Sequence, residues 1–252
     1  MKVVAVLQAR TTSTRLPGKV LAQIQGRPML ELMLERVRRA ELIDQVIVAT
    51  STGKSDNALE NLCKHLGVEC YRGSLDNVLQ RFRGAVRKYG GDHVVRLTGD
   101  CPLIDSGVID ATIRFYLDGG YDYASNTMPP TFPDGLDVEV FSRQALESTF
   151  EKAGTALELE HVTPHMRNHP ETFKLGGFQG SRDLSRLRWT VDEPEDLEFV
   201  RAVYDALYEK KESFGYLDVL ELMEQNEELG QLNNMFSRNE GMRKNQKEGS
   251  NG

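Results

Sequence analysis

The chain begins with a continuous apolar run, Val3, Val4, Ala5, Val6 and Leu7. The run is too short for a helix and rich in β-branched side chains, which predicts a central strand buried on both faces. Beyond the breakers Gly26 and Pro28 the spacing becomes helical, with Leu30, Met33, Leu34 and Val37 on one face. The same alternation continues with a strand at 45–50, a helix at 56–66 and a strand at 68–71. Ser74 is placed to cap a helix whose apolar face is Val78, Leu79, Phe82, Ala85, Val86 and Tyr89. A strand at 93–97 and a helix at 106–117 follow. Such βα repetition predicts a mostly parallel sheet with helices on both faces.

The pattern changes at Tyr121. Strands at 121–125 and 138–141 flank a proline-rich stretch, 128–134, and Ser142 can cap a helix over 143–152. Further strands are predicted at 173–178 and 187–191. Pro194 then suits the first position of a helix that runs to about 209 with Leu197, Val200, Val203 and Leu207 inward, and a last helix covers 216–225. Residues 226–252 are polar and poor in apolar side chains, which predicts a loosely held tail after one domain spanning 1–225.

Composition narrows the function class. At 252 residues the chain can bury a substantial core, and a net charge of -7 argues against a non-specific nucleic-acid binder. Three cysteines without CxxC spacing suggest neither a disulfide framework nor a structural zinc site. Residues 1–20 lack a signal-peptide core, and no apolar run is long enough to span a bilayer. A soluble cytoplasmic protein is expected.

Against that acidic background the loop 8–21, QARTTSTRLPGKVL, is a local exception. It carries Arg10, Arg15 and Lys19 with the hydroxyls of Thr11, Thr12, Ser13 and Thr14. It also leaves the carboxyl end of a buried strand, where open α/β sheets bind ligands. Cations and donors together there point to a polyphosphate, although neither GxxxxGK[ST] nor GxGxxG is present. Asp100, in the turn Gly99-Asp100-Cys101-Pro102, would face the same crevice. A carboxylate beside a polyphosphate invites Mg²⁺, which takes one or two protein carboxylates. Asp192 is the second candidate; its alternative is a helix N-cap before Pro194 and the acidic turn of Glu193, Glu195 and Asp196.

Asp137 and Glu139 lie two apart on a predicted strand and so share one face, suited to a polyhydroxylated acceptor or to a surface salt-bridge strand. His161, His165 and His169 recur at helical spacing, but Pro164 and Pro170 interrupt them and argue against zinc. Glu160 and His161 are better placed in an acceptor pocket or a subunit contact.

The segments QARTTSTRLPGKVL, LTGDCPLI, TVDEPEDLEFV, PDGLDVEVF and EHVTP carry a family resemblance over 1–225. The chain resembles the nucleotide-sugar cytidylyltransferases, in the branch of the spore-coat polysaccharide protein SpsF, with CMP-KDO synthetase and acylneuraminate cytidylyltransferase as broader relatives. The resemblance implies a three-layer α/β/α, GT-A-like and Rossmann-like nucleotide-diphospho-sugar transferase fold with a mixed, mostly parallel sheet. It implies CMP transfer from CTP to a sugar acid or related acidic hydroxyl, with release of pyrophosphate, in surface polysaccharide or glycoconjugate biosynthesis. By the same likeness Gln8, Ala9, Arg10, Ser13, Arg15 and Lys19 would hold CTP. Asp100 and Asp192 would hold Mg²⁺, and Arg72, Asp76 and Arg81 would meet base and ribose. Arg10, Lys19, Asp100 and Asp192 would be the catalytic set. Asn126, Asp137, Glu139, Glu160 and His161 would line the acceptor pocket within a 120–180 subregion, in a homodimer. The segment RNEG, 238–241, recurs in this branch, whereas the acceptor half departs from the KDO and sialic-acid enzymes. Two alternatives remain. A glycosyltransferase usually carries DxD, and Asp100-Cys101-Pro102 is not one; a nucleotide-binding partner would bind without turnover.

Overall fold

The computed structural model describes residues 1–236 and 238. β1 (Val3–Gln8) lies inside the sheet, and its side chains alternate between two cores: Val3, Ala5 and Leu7 enter one, Val4 and Val6 the other. That is why the run has no polar break. A small hairpin, β2 (Gln23–Ile24) and β3 (Arg27–Pro28), leads to α1 (Met29–Val37). Then come β4 (Gln45–Ser51), α2 (Asn57–His65), β5 (Glu69–Gly73), α3 (Val78–Tyr89), β6 (His93–Thr98) and α4 (Ser106–Gly119). β5, β4, β1 and β6 are parallel neighbours in that order. Their carboxyl ends all open on one rim.

The second half turns the sheet mixed. β7 (Tyr123–Ser125) and β8 (Glu139–Ser142) are antiparallel to each other, and β8 is antiparallel to β6. α5 (Arg143–Lys152), α6 (Ala156–His161) and α7 (Pro164–Asn168) follow, and β9 (Leu175–Gly177) closes the sheet parallel to β7. The strand order is β5-β4-β1-β6-β8-β7-β9. α8 (Pro194–Leu207) and α9 (Tyr216–Gln225) pack with α1, α2 and α4 on one face; α3, α5 and the α6–α7 segment cover the other. The result is the expected three-layer α/β/α fold.

Three local expectations change. Residues 187–191 form no strand but a single bridge between Arg188 and Asp134. Trp189 donates its N–H to the Asp134 carbonyl at 2.6 Å, and Val191 to the Asp100 carbonyl at 2.8 Å. The apolar side chains there fill the core while the backbone ties two loops together. Asn77, not Ser74, caps α3 by accepting from Gln80 N at 2.8 Å, and Ser74 Oγ accepts from Asn77 N one turn earlier. The described start of the expected loose tail packs on the body: Leu229 and Asn233 are buried, and Asn233 donates to the Arg188 carbonyl and to Asp196. Of the RNEG segment only Arg238 lies within the described residues.

Candidate active site

The basic loop is shaped by an acid from outside it. Asp56, buried before α2, accepts from Thr11 N at 2.8 Å and Thr11 Oγ1 at 2.7 Å while its other oxygen takes Ser51 N and Oγ. Gly18 turns the chain at φ 72°, a conformation a β-carbon would strain, and its N–H closes on the Thr11 carbonyl at 2.9 Å. A 3₁₀ turn, Lys19–Leu21, then drops Lys19 into the crevice. Gly99 lets the two rim turns touch: a β-carbon there would stand 3.0 Å from Ala9 Cβ and the Gln8 carbonyl.

Lys19 is the centre of the arrangement. Its Nζ donates to Val191 O at 2.7 Å, to Asp192 Oδ1 at 2.8 Å and to Asp100 Oδ2 at 3.1 Å. Burial works against the charge on Lys19, and the two carboxylates outweigh it, so its pKa is raised. Burial likewise opposes charge on Asp100, and the Lys19 ammonium outweighs it and takes the carboxyl down to about 2. Arg15 reaches Asp192 at 2.9 Å and Glu193 at 3.1 Å. Among the described residues Arg10 pairs with Glu160 alone, at 3.8 Å, and keeps 41 % of its side chain exposed. Ser13 Oγ accepts from Leu16 N within the loop.

Asp192 is not the cap of α8. Glu193 takes that position, and Asp196 accepts from Asp192 N at 2.9 Å and Glu193 N at 3.0 Å. Arg188 clamps Asp196 with Nε and Nη2, both at 2.8 Å. With capping assigned to its neighbours, the Asp192 carboxylate faces Lys19.

The other expected nucleotide contacts sit differently. Arg72 donates to the Ser51 and Gly53 carbonyls, Asn57 and Glu60, so it clamps the connection between β4 and α2. Asp76 is exposed. Arg81 is buried and holds the Ser74 carbonyl at 2.7 Å; burial first, then the charge of Arg10, lowers its pKa to about 10. It therefore lies in reach of the basic loop's field.

Of the residues expected to line an acceptor pocket, the structure turns several inward. Asn126 bonds the backbone at both ends, Leu136 O at 2.7 Å and Val138 N at 2.9 Å, so it staples the chain into β8. Glu139 is buried and accepts from Tyr123 OH and Thr163 Oγ1, each at 2.6 Å, and from Arg96. Its oxygens are engaged, and it acts as a counter-ion within the protein. Asp137 pairs with Arg238, which also donates to Phe132 O at 3.1 Å. Glu160 and His161 stay at the rim near Arg10, and burial, then Arg96, lowers the His161 pKa. His165 and His169 stack on each other at 4.1 Å, and His165 bonds Glu158. Among the described residues no group of three or more His, Cys, Asp or Glu is disposed to hold a metal.

A basic loop faces two carboxylates across the rim of the sheet, and the sequence profile of the cytidylyltransferases matches residues 4–242. The chain belongs to that family. The spore coat polysaccharide biosynthesis protein SpsF of Bacillus subtilis (strain 168) is 32% identical over 217 residues, 81% of this chain and 87% of that protein. The 3-deoxy-manno-octulosonate cytidylyltransferase of Trichlorobacter lovleyi is 35% identical, but over 119 residues, 46% of each chain. A solved cytidylyltransferase from Leptospira borgpetersenii serovar Hardjo-bovis is 34% identical, with a TM-score of 0.87 over 92% of this chain and 97% of that one.

Three residues of this cytidylyltransferase escaped the sequence reading. Asp56 looks like an ordinary first-turn acid, and Arg188 like a solvated charge in a short apolar run. Arg96 did leave a signal, as the one charge inside the buried strand HVVRLT. A charge there needs a partner from elsewhere in the fold.

Proposed function

We propose that this cytidylyltransferase transfers CMP from CTP to a hydroxyl of a sugar acid or related acidic acceptor and releases pyrophosphate. The observation that carries the reading is the convergence of Asp100 and Asp192 on Lys19 Nζ, at 3.1 and 2.8 Å, below the basic loop. Two carboxylate oxygens that already share one cationic nitrogen can share a cation. An all-oxygen donor set of two carboxylates suits Mg²⁺, which fills its octahedron with phosphate oxygens and water. Held by Asp100 and Asp192, the ion would offset charge on the α-phosphate.

The chain's own residues supply the rest. Arg10, little restrained, and Arg15 offer guanidinium forks to the β- and γ-phosphates and to the departing pyrophosphate. Lys19 adds a buried ammonium on the carboxylate side. Positioning and charge neutralisation then provide most of the acceleration, as in other phosphoryl chemistry. The reading includes a cytoplasmic homodimer. Cys63, Cys70 and Cys101 are free thiols, which suits a reducing compartment, and among the described residues no helix is long and apolar enough to cross a membrane. Light scattering at twice 28.4 kDa tests the dimer.

Pyrophosphate release, measured with CTP, UTP, ATP and GTP against a panel of sugar acids, tests the activity. Release with CTP and an acidic acceptor is expected. Acceptor-independent release, or preference for another nucleotide, overturns the assignment.

A further inference from the structure

Arg96 lies on the sheet face covered by α3, α5 and the α6–α7 segment, between Val6 on β1 and Glu139 on β8. Its Nη1 is given to Glu139, whose remaining oxygen is taken by Tyr123 and Thr163. The rest of the guanidinium makes no hydrogen bond among the described residues, and its Nε is buried without a partner. The Nε–Nη2 edge is the side of arginine that matches a carboxylate with two parallel N–H bonds. One strand over, on the same face, Gln8 Oε1 is also buried without a donor. Buried polar groups left unmatched are costly, and an unmatched donor edge on the same face as an unmatched acceptor two residues further along the neighbouring strand suits a ligand that brings both complements.

The surrounding charge agrees. Arg10, Arg96 and Arg167 are set against Glu139 and Glu160. His161, with its pKa lowered by burial and by Arg96, adds no charge near neutral pH. The patch therefore carries one positive charge in excess.

We propose that Arg96, oriented by Glu139, binds the carboxylate of the acceptor, while Gln8 Oε1 accepts from one of its hydroxyls. The ligand class this defines is a polyhydroxylated carboxylic acid, and the assignment rests on the transferase reading above. Glu139 is the positioning residue: it fixes the guanidinium plane and leaves the fork edge open.

The test compares wild type, R96K and R96Q in pyrophosphate release with CTP and the sugar acids of the same panel, each beside its carboxamide. R96K keeps a cation for Glu139 and guards against a folding defect in R96Q, and circular dichroism checks both. Loss of a charge-assisted fork should raise the acceptor KM about 10- to 150-fold in R96Q. R96K should rise less, the CTP KM should hold within about twofold, and the preference for acid over carboxamide should vanish. An acceptor KM unchanged in both variants, or an equal rise for acid and carboxamide, overturns the assignment of Arg96 alone. If wild type uses no acid of the panel with CTP, the transferase reading fails and the Arg96 assignment falls with it.

Discussion

Two charge clusters meet at the start of α8, and they are built for different ends. Around Lys19, two carboxylates and one ammonium lie at the rim of the crevice, with the Asp100 side chain 28% exposed and that of Asp192 19%. Around Arg188, Asp196 is entirely buried and fixed by the guanidinium, two backbone N–H groups and Asn233. The first is paired but partly open to solvent, so a ligand can reach its carboxylates. The second is closed, so its energy goes into holding the helix and the returning C-terminal segment. Asp192 and Asp196 share one helix start, and burial and partners together separate the partly exposed carboxylate from the enclosed one.

Breaking the closed cluster should have the largest effect. Asp196→Ala leaves Arg188 buried beside fewer acceptors and strips the Asp192 and Glu193 N–H groups of their acceptor, with an expected loss of about 3–5 kcal/mol in urea unfolding. A loss under about 1 kcal/mol would show that the cluster is not the structural one. Asp100→Ala should do the reverse. Lys19 keeps Asp192 and the Val191 carbonyl, so the fold persists, while pyrophosphate release falls about 10²–10³-fold. Near wild-type turnover would place both clusters on the same footing.

Titration sharpens the contrast at one edge: Asp100 and Asp196 are both lowered, whereas Asp134, at the edge of the Arg188 cluster, is raised. Asp100 is brought from 3.8 down to about 2, so its pairing stabilises the fold above about pH 4 and is lost as pH falls toward 2. Asp134, beside Arg188, is pushed up from 3.8 to about 7, first by burial and then by Asp137. The unfolded chain ionises this group first, so its contribution declines as pH rises from about 4 to 7. Asp134→Asn should gain stability relative to wild type across that window and show a constant difference above it. A difference independent of pH would remove Asp134 from the titrating groups. The smallest effect is expected at the edge of the closed cluster: Asn233→Ala should cost about 1–2 kcal/mol in unfolding, without changing the CTP KM.

The half that carries the basic loop was legible because its determinants are local. An unbroken β-branched run means a buried strand, and the basic loop and the GDCP turn each sit directly behind one. The choice of cap for α8 was not legible. Glu193, Asp192 and Asp196 all suit a helix start on chemistry alone; Glu193 takes the cap position, and Arg188 and Asn233 hold Asp196 where it accepts the first N–H groups. The strand expected at 187–191 failed for a related reason: Trp189 and Val191 are buried as a strand would bury them, but their N–H groups bond to loops. On the acceptor side, Asp137 and Glu139 read as a matched pair of ligands, yet Arg238 and Arg96 claim one each.

By itself the sequence determined the alternation of strands and helices, the α/β class, and the rim on which cations and Asp100 would gather, since each follows from periodicity or from a residue's place at a strand end. Tertiary structure decided which charges remain open to a ligand. Arg96 and Glu139 are 43 residues apart, and Lys19 and Asp192 are 173 apart. No local pattern encodes such pairings, and in a low-dielectric interior the partner determines whether a charge binds a ligand or holds the fold.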